Sequence, residues 1–321
     1  EVYSQSGYYF SSVADKIYLN PEGMVELKGL SAGIMFYKGL LEKLDIEVQI
    51  IRHGKFKSAV EPFMLDKMSD ANREQMQLLL NSFADNLFDS IASQRDMTLS
   101  DIHNHANNLS LENAKSCLDL HYVDALLYQD QVDDSLLVIS KSEKLNFISL
   151  NKYSNVKVEK KEISRNKIAI IYATGEINSG EGDEKSIGSE TTAKAIKTAR
   201  DDKNVKAIVL RVNSPGGSAL ASDVIWRETV LAKEEKPLIV SMGDYAASGG
   251  YYIACAADSI VANPTTLTGS IGVFGMIPNL QNFYKNKLGI TIDTANTNKY
   301  ADMIRNCLML QGFYLHSQSY G

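Results

Sequence analysis

The chain repeats itself, and that limits what it can fold into. Gly7 to Pro21, GYYFSSVADKIYLNP, parallels Gly250 to Pro264, GYYIACAADSIVANP. Further on, Leu44-Asp45-Ile46 aligns with Leu288-Gly289-Ile290 after a one-residue shift. An offset of roughly 243 residues marks a duplicated domain rather than a solenoid period. The 321 residues are enough for two domains, each with a sizeable core.

The run from Val205 to Gly275 shows what one copy contains. Lys206 to Val212 is a short apolar strand that halts at Asn213-Ser214-Pro215-Gly216-Gly217. A helix-like stretch follows, with Ala221, Val224, Ile225, Val230 and Leu231 on recurring positions. Pro237 then introduces a second strand, Leu238 to Met242. This is a βαβ unit, which predicts a parallel pair with a right-handed crossover. Gly216 and Gly217 leave their amides unshielded by side chains, a pair suited to holding an oxyanion.

Ser248 sits in Gly243–Gly250 at the entry to the next helix. Two readings stay open: an N-cap, the commonest role of a serine before a helix, or a nucleophile whose neighbours Ala246, Ala247, Gly249 and Gly250 leave room for a substrate carbonyl. Aligned on the repeat, Ser248 falls opposite Gln5, and Lys57 falls opposite Ala301. Each copy has lost what the other keeps, so a working site needs Ser248 from one and Lys57 from the other. A serine hydroxyl needs a base, and none of the five histidines is an obvious one. A lysine serves if its pKa falls from about 10.4 toward neutrality, at a differential cost of about 3–4 kcal/mol, and burial supplies such a shift. The competing reading of Lys57 is an exposed charge in a basic loop with Arg52, His53 and Lys55.

The motifs GKFKSAVEPF, VNSPGGS, AASGGYY and ANPTTLTGSIGVFG resemble those of the signal peptide peptidase A (protease IV) family in its long double-domain form, from Tyr3 to about Ala301. The resemblance implies an α/β chain of tandem Clp protease/crotonase-like domains, built of ββα repeats, with an intervening helical region. It implies a serine endopeptidase with a Ser/Lys dyad: Ser248 as nucleophile, Lys57 as base, Ser270 hydrogen-bonding the lysine amine, and Gly217 with Gly216 donating to the oxyanion. No metal and no organic cofactor are implied. The implied substrates are cleaved signal peptides and other short peptides. The implied assembly is a homotetramer at the cell inner membrane, its catalytic part outside the cytoplasm, held by an anchor absent from this chain. Glu1 falls within the first domain, and the tail beyond Ala301 departs from the family pattern, so the chain reads as a fragment.

The expected organisation is residues 1–68 as the remainder of the first domain, 69–150 as the helical region, 151–167 as a charged linker and 168–321 as the second domain. Within it, Ser69 to Arg95 reads as a long amphipathic helix, Asp130 to Asp134 as an acidic turn, and Gly175 to Gly188 as a mobile rim loop. The balance of 33 basic against 39 acidic residues, with no long basic stripe, argues against nucleic acid as a partner. Cys117, Cys255 and Cys307 are too scattered for a disulfide framework or zinc site, and His103-Asn104-His105 reads as a polar loop. Two other classes stay in view, a crotonase-type acyl-CoA enzyme using the same glycine amides and a non-catalytic oligomeric scaffold.

Overall fold

A computed structural model describes residues 2–156 and 165–299. The middle of the charged linker, Ala301 and the tail beyond it lie outside the described residues. Contacts divide the chain into two compact units, Glu1–Ser31 with Leu79–Ile163, and Ala32–Leu78 with Ser164–Gly321.

In chain order, β1 (Val2–Tyr3), α1 (Gln5–Ser11), β2 (Tyr18–Leu19) and β3 (Met24–Val25) precede α2 (Lys38–Lys43) and β4 (Glu47–Arg52). The helices α3 (Asp70–Gln94), α4 (Leu99–Asn107) and α5 (Ala114–Asp119) follow, then β5 (Ala125–Leu126), α6 (Gln129–Ser140) and α7 (Leu150–Ser154). Next come β6 (Lys167–Thr174), β7 (Glu176–Asn178), β8 (Ser186–Gly188), α8 (Ser189–Asp201), β9 (Val205–Ser214), α9 (Ala219–Glu235) and β10 (Leu238–Ala247). The described part closes with α10 (Gly249–Ala254), β11 (Ser259–Val261), β12 (Leu267–Gly269), β13 (Phe274–Asn279) and α11 (Gln281–Phe283).

The first unit packs around Tyr8, Phe88, Ile91, Ile102 and Tyr122, all buried. Its helices start where the sequence supplies caps: Thr98 and Asp101 form a capping box on α4, as Asn113 and Ser116 do on α5. The acidic stretch from Asp130 is not a turn but the first turns of α6, where Asp130 suits the helix N-terminus. His103 and His105 lie on α4 rather than in a loop. His103 Nε2 is 2.9 Å from Asp85 Oδ1, and His105 Nδ1 is 3.1 Å from the Tyr122 hydroxyl.

The second unit holds a sheet ordered β11-β10-β9-β6, all parallel, with β12 added beside the end of β10. Alternation along β9 buries Ile208, Leu210, Val212 and Ser214 on one face. Ile196 of α8, Ile225 of α9 and Ile253 of α10 complete that core. The buried side of α9 is Ala221, Ser222, Ile225, Thr229 and Ala232, whereas Val224 is exposed, contrary to the face expected from hydrophobicity. Ser222 and Thr229 are buried without penalty because their hydroxyls donate to the carbonyls of Ser218 and Trp226. The stretch from Gly175 to Gly188 is not an unstructured rim. Its ends pair as β7 and β8, with Ile177 and Ile187 buried.

The repeat is built into strand register. Val2 pairs with Met24 and Tyr3 with Val25, just as Tyr245 pairs with Leu267 and Ala246 with Thr268. Asp45 and Gly289, aligned in the two copies, both adopt left-handed backbone, with φ of 57° and 67°.

Candidate active site

The site begins at a defect in β10. This strand follows β9 as far as Met242, opposite Val212, then slips and rejoins at Ala246, opposite Ser214. Asn213 Oδ1 accepts the Tyr245 amide at 3.0 Å, and Thr268 Oγ1 donates to the Ala246 carbonyl at 2.8 Å. The strand end is thereby passed from β9 to β12, whose Gly269 lies opposite Ala247.

Ser248 follows with φ 53° and ψ −117°, a region that L residues rarely occupy and that surrounding structure must enforce. Its amide donates to the Gly269 carbonyl at 2.8 Å. Its hydroxyl makes no capping bond to α10, so the N-cap reading fails. Neighbouring glycines are sterically required. A Cβ on Gly249 would lie 2.5 Å from Ser222 Oγ, and one on Gly250 would lie 2.6 Å from the Ser214 carbonyl oxygen.

The two turn glycines have different employment. Gly216 donates its amide to Ser214 Oγ at 3.1 Å and accepts from the Ile177 amide at 2.9 Å. That amide is therefore committed inside the turn, which corrects the expected Gly216–Gly217 pair of donors. Gly217, at φ 156°, packs so tightly on Ile177 that a Cβ would come within 2.2 Å of its carbonyl oxygen. Its amide nitrogen lies 3.2 Å from where a Cβ on Gly249 would stand. As the first residue of α10, Gly249 has an amide without an intrahelical acceptor. A free backbone donor such as this carries no side-chain signature in the sequence.

Lys57 is only 7% exposed. It reaches the site because β4, from the first copy, pairs antiparallel with β13 of the second, placing Arg52 opposite Phe274. Beyond Arg52 the chain turns inward, and Lys57 Nζ donates to the Ser270 carbonyl at 2.6 Å and to Ser270 Oγ at 3.0 Å. The Phe274 ring centroid is 5.8 Å away. Burial lowers the lysine pKa from its ordinary value. Gly269 and Ser270 are both left-handed, with φ of 79° and 52°, so the turn presents one carbonyl to Ser248 and the next to Lys57. The exposed-loop reading of Lys57 therefore also fails.

A parallel sheet, a serine in strained backbone at a strand-to-helix junction and a buried lysine are the parts from which a site of serine-nucleophile chemistry can be built. The profile of Peptidase family S49 matches residues 1–141 and 231–311, and the chain belongs to that family. Its fold is of the Clp/crotonase-like class. It is 40% identical to Protease 4 of Salmonella typhi, over 94% of this chain and 50% of that protein. It is 39% identical to Protease 4 of Haemophilus influenzae over 94% and 51%, and 36% identical to the chloroplastic serine protease SPPA of Arabidopsis thaliana over 92% and 45%. The chain thus spans about half the length of the curated relatives it matches. Among solved structures, ClpP1 from Listeria monocytogenes aligns at 26% identity, over 27% of this chain and 46% of that one, with a TM-score of 0.23.

Proposed function

We propose that the chain carries the catalytic centre of a serine peptidase with a Ser248/Lys57 dyad. The observation that carries this reading is the Gly269–Ser270 turn, which binds the Ser248 amide through one residue and the Lys57 amine through the next. Lys57, in its neutral form, which burial favours, accepts the Ser248 proton as Oγ attacks a peptide carbonyl. The oxyanion is held by the amides of Gly217 and Gly249, and Lys57 then protonates the leaving amine. Water hydrolyses the acyl-enzyme with the same lysine as base. Ser270 Oγ keeps the amine oriented between steps.

The substrates on this reading are short peptides, cleaved signal peptides among them; the relatives named Protease 4 and Serine protease SPPA support the peptidase class. The assembly is a homotetramer at the membrane. Among the described residues no helix is long and apolar enough to cross a bilayer.

Labelling by a fluorophosphonate probe in the full-length protein tests the reading. Labelling that disappears in both Ser248→Ala and Lys57→Ala is the expected outcome. An unlabelled parent, or one that labels equally without Lys57, overturns it, and inhibition by CoA analogues in place of acylating reagents would move the acyl-CoA reading ahead.

A further inference from the structure

The segment from His53 to Val60, which carries Lys57, has no regular secondary structure, and only Lys57 and Val60 within it are buried. It leaves β4 through Gly54, at φ 81°. An unsupported lysine on such a loop would place its ammonium in water, because desolvation and lost side-chain freedom both oppose docking. Something must hold the loop inward.

The holding group stands at its base. Arg52, the last residue of β4, and Glu61, which opens a 3-10 turn at Glu61–Phe63, flank the segment and meet at 3.4 Å. Glu61 is completely buried. Its Oε1 also accepts from Ser69 Oγ at 2.6 Å, while Oε2 accepts from the Ser69 amide at 3.1 Å and from Asn72 Nδ2 at 3.0 Å. Ser69 Oγ in turn accepts the Asn72 amide at the start of α3. One carboxylate therefore joins the strand before the loop, the turn after it and the helix beyond. The same Arg52 lies opposite Phe274, whose ring faces the lysine amine.

We infer that Glu61, through Arg52, Ser69 and Asn72, is a positioning residue: a clasp that closes the 53–60 loop and fixes Lys57 on Ser270. The inference rests on the Ser248/Lys57 reading above. Glu61 does not touch the reacting atoms and acts only by setting where the lysine amine sits. The groups facing Glu61 are Arg52 from β4 and Ser69 and Asn72 at the head of α3. Those facing Lys57 are the Ser270 carbonyl and hydroxyl and the Phe274 ring, with His53 and Lys55 on its own exposed loop. Releasing the clasp exposes the amine and returns it toward ordinary lysine behaviour.

The test is the second-order rate of fluorophosphonate labelling of the full-length protein, measured across pH beside thermal unfolding. Glu61→Gln keeps one of the two acceptor oxygens, turns the other into a donor that faces donors, and removes the charge facing Arg52. Arg52→Met removes the other half from a partly exposed position, so it carries the test if Glu61→Gln does not fold. Both should label about 100-fold more slowly per folded molecule, the loss that a misplacement of roughly 1 Å produces. Both should also shift the midpoint of the pH profile upward. Arg52→Lys should recover most of the rate, and Asp66→Asn, which breaks an exposed pair with Lys38, should label like the parent. Parental labelling in the clasp variants, or slower labelling with an unmoved midpoint, overturns the clasp. A parent that does not label, or labels without Lys57, is a separate result: the dyad reading falls and the clasp falls with it.

Discussion

The carbonyl of Gly269 accepts the amide of Ser248 at 2.8 Å, which ties the backbone of Ser248 to the residue preceding the anchor of Lys57. Geometry at the serine and at the lysine is therefore set by one turn. Ser270→Ala removes the 3.0 Å contact to Lys57 but leaves the 2.6 Å contact to the carbonyl. Labelling should fall about tenfold, roughly 1.4 kcal/mol, with Ser248 still reactive. Ser270→Gly, which suits φ 52°, should match the alanine variant, since the hydroxyl and not the turn is what both lose. If Ser270→Ala labels at the parental rate, the hydroxyl does not orient the amine.

The pH dependence follows from Lys57. Burial lowers its pKa below the ordinary 10.5, and the reaction needs the neutral amine, so labelling should rise with pH to a midpoint under 10.5. A flat rate from about pH 6 to 9 would count against this lysine as base. Stability carries the same sign. Below the folded pKa both states are protonated and the native state bears the cost of a desolvated ammonium. Between that pKa and 10.5 the unfolded state binds more protons, so stability rises with pH and then levels off. Lys57→Met should abolish labelling and remove that rise from a plot of Tm against pH.

Gly249→Ala tests the second oxyanion donor proposed above, which the sequence did not mark. The added methyl would stand 2.5 Å from Ser222 Oγ and 3.2 Å from the Gly217 nitrogen. Ser222 cannot swing away, being fully buried and bonded to the Ser218 carbonyl at 2.8 Å. Displacing either amide from the oxyanion should slow labelling by about 100-fold or more. Adding Ser222→Ala should restore part of the rate by removing the clashing oxygen. Parental rates in the single variant would show that the Gly249 amide is not used.

Tyr8 offers a perturbation confined to the first unit. Its hydroxyl donates to the Tyr122 carbonyl at 2.6 Å in a fully buried setting, and burial pushes its pKa well above the ordinary value. Tyr8→Phe strands that carbonyl and should destabilise by about 1–3 kcal/mol, read by thermal or chemical unfolding. Labelling per folded molecule should not change.

Much of this was legible because it is written in side chains or in chain order. The repeat predicted a duplicated domain, which the matched strand registers bear out, the apolar runs predicted the parallel β9–α9–β10 unit, and the family resemblance implied the Ser270 contact to Lys57. What stayed hidden is written in the backbone. Gly216 and Gly217 are alike in sequence, and only the Ser214 hydroxyl distinguishes them by taking one amide. The inner face of α9 was misread because Ser222 and Thr229 satisfy themselves on helix carbonyls, so polarity did not mark them as outward. The buried role of Glu61 has no mark in the sequence, because its partners Ser69 and Asn72 are polar residues with no periodic signal of their own.

The first copy should remain silent even when given a serine. Gln5 occupies the position matching Ser248, but it begins α1 directly after the N-cap Ser4, whose hydroxyl accepts the Gly7 amide, and lacks the left-handed φ of Ser248. Its carboxamide is already spent: Oε1 accepts the amides of Lys28 and Gly29, both at 3.0 Å, and Nε2 donates to the Gly29 carbonyl at 3.2 Å. Gln5→Ser therefore loses three partly solvated hydrogen bonds and should destabilise by about 0.5–1.5 kcal/mol without creating a nucleophile. The clean measurement is mass spectrometry of fluorophosphonate adducts on Gln5→Ser combined with Ser248→Ala. No adduct is expected on that chain. A labelled serine at position 5 would mean that the first copy retains a latent site and that the side chain, not the strained turn, is what the second copy alone preserved.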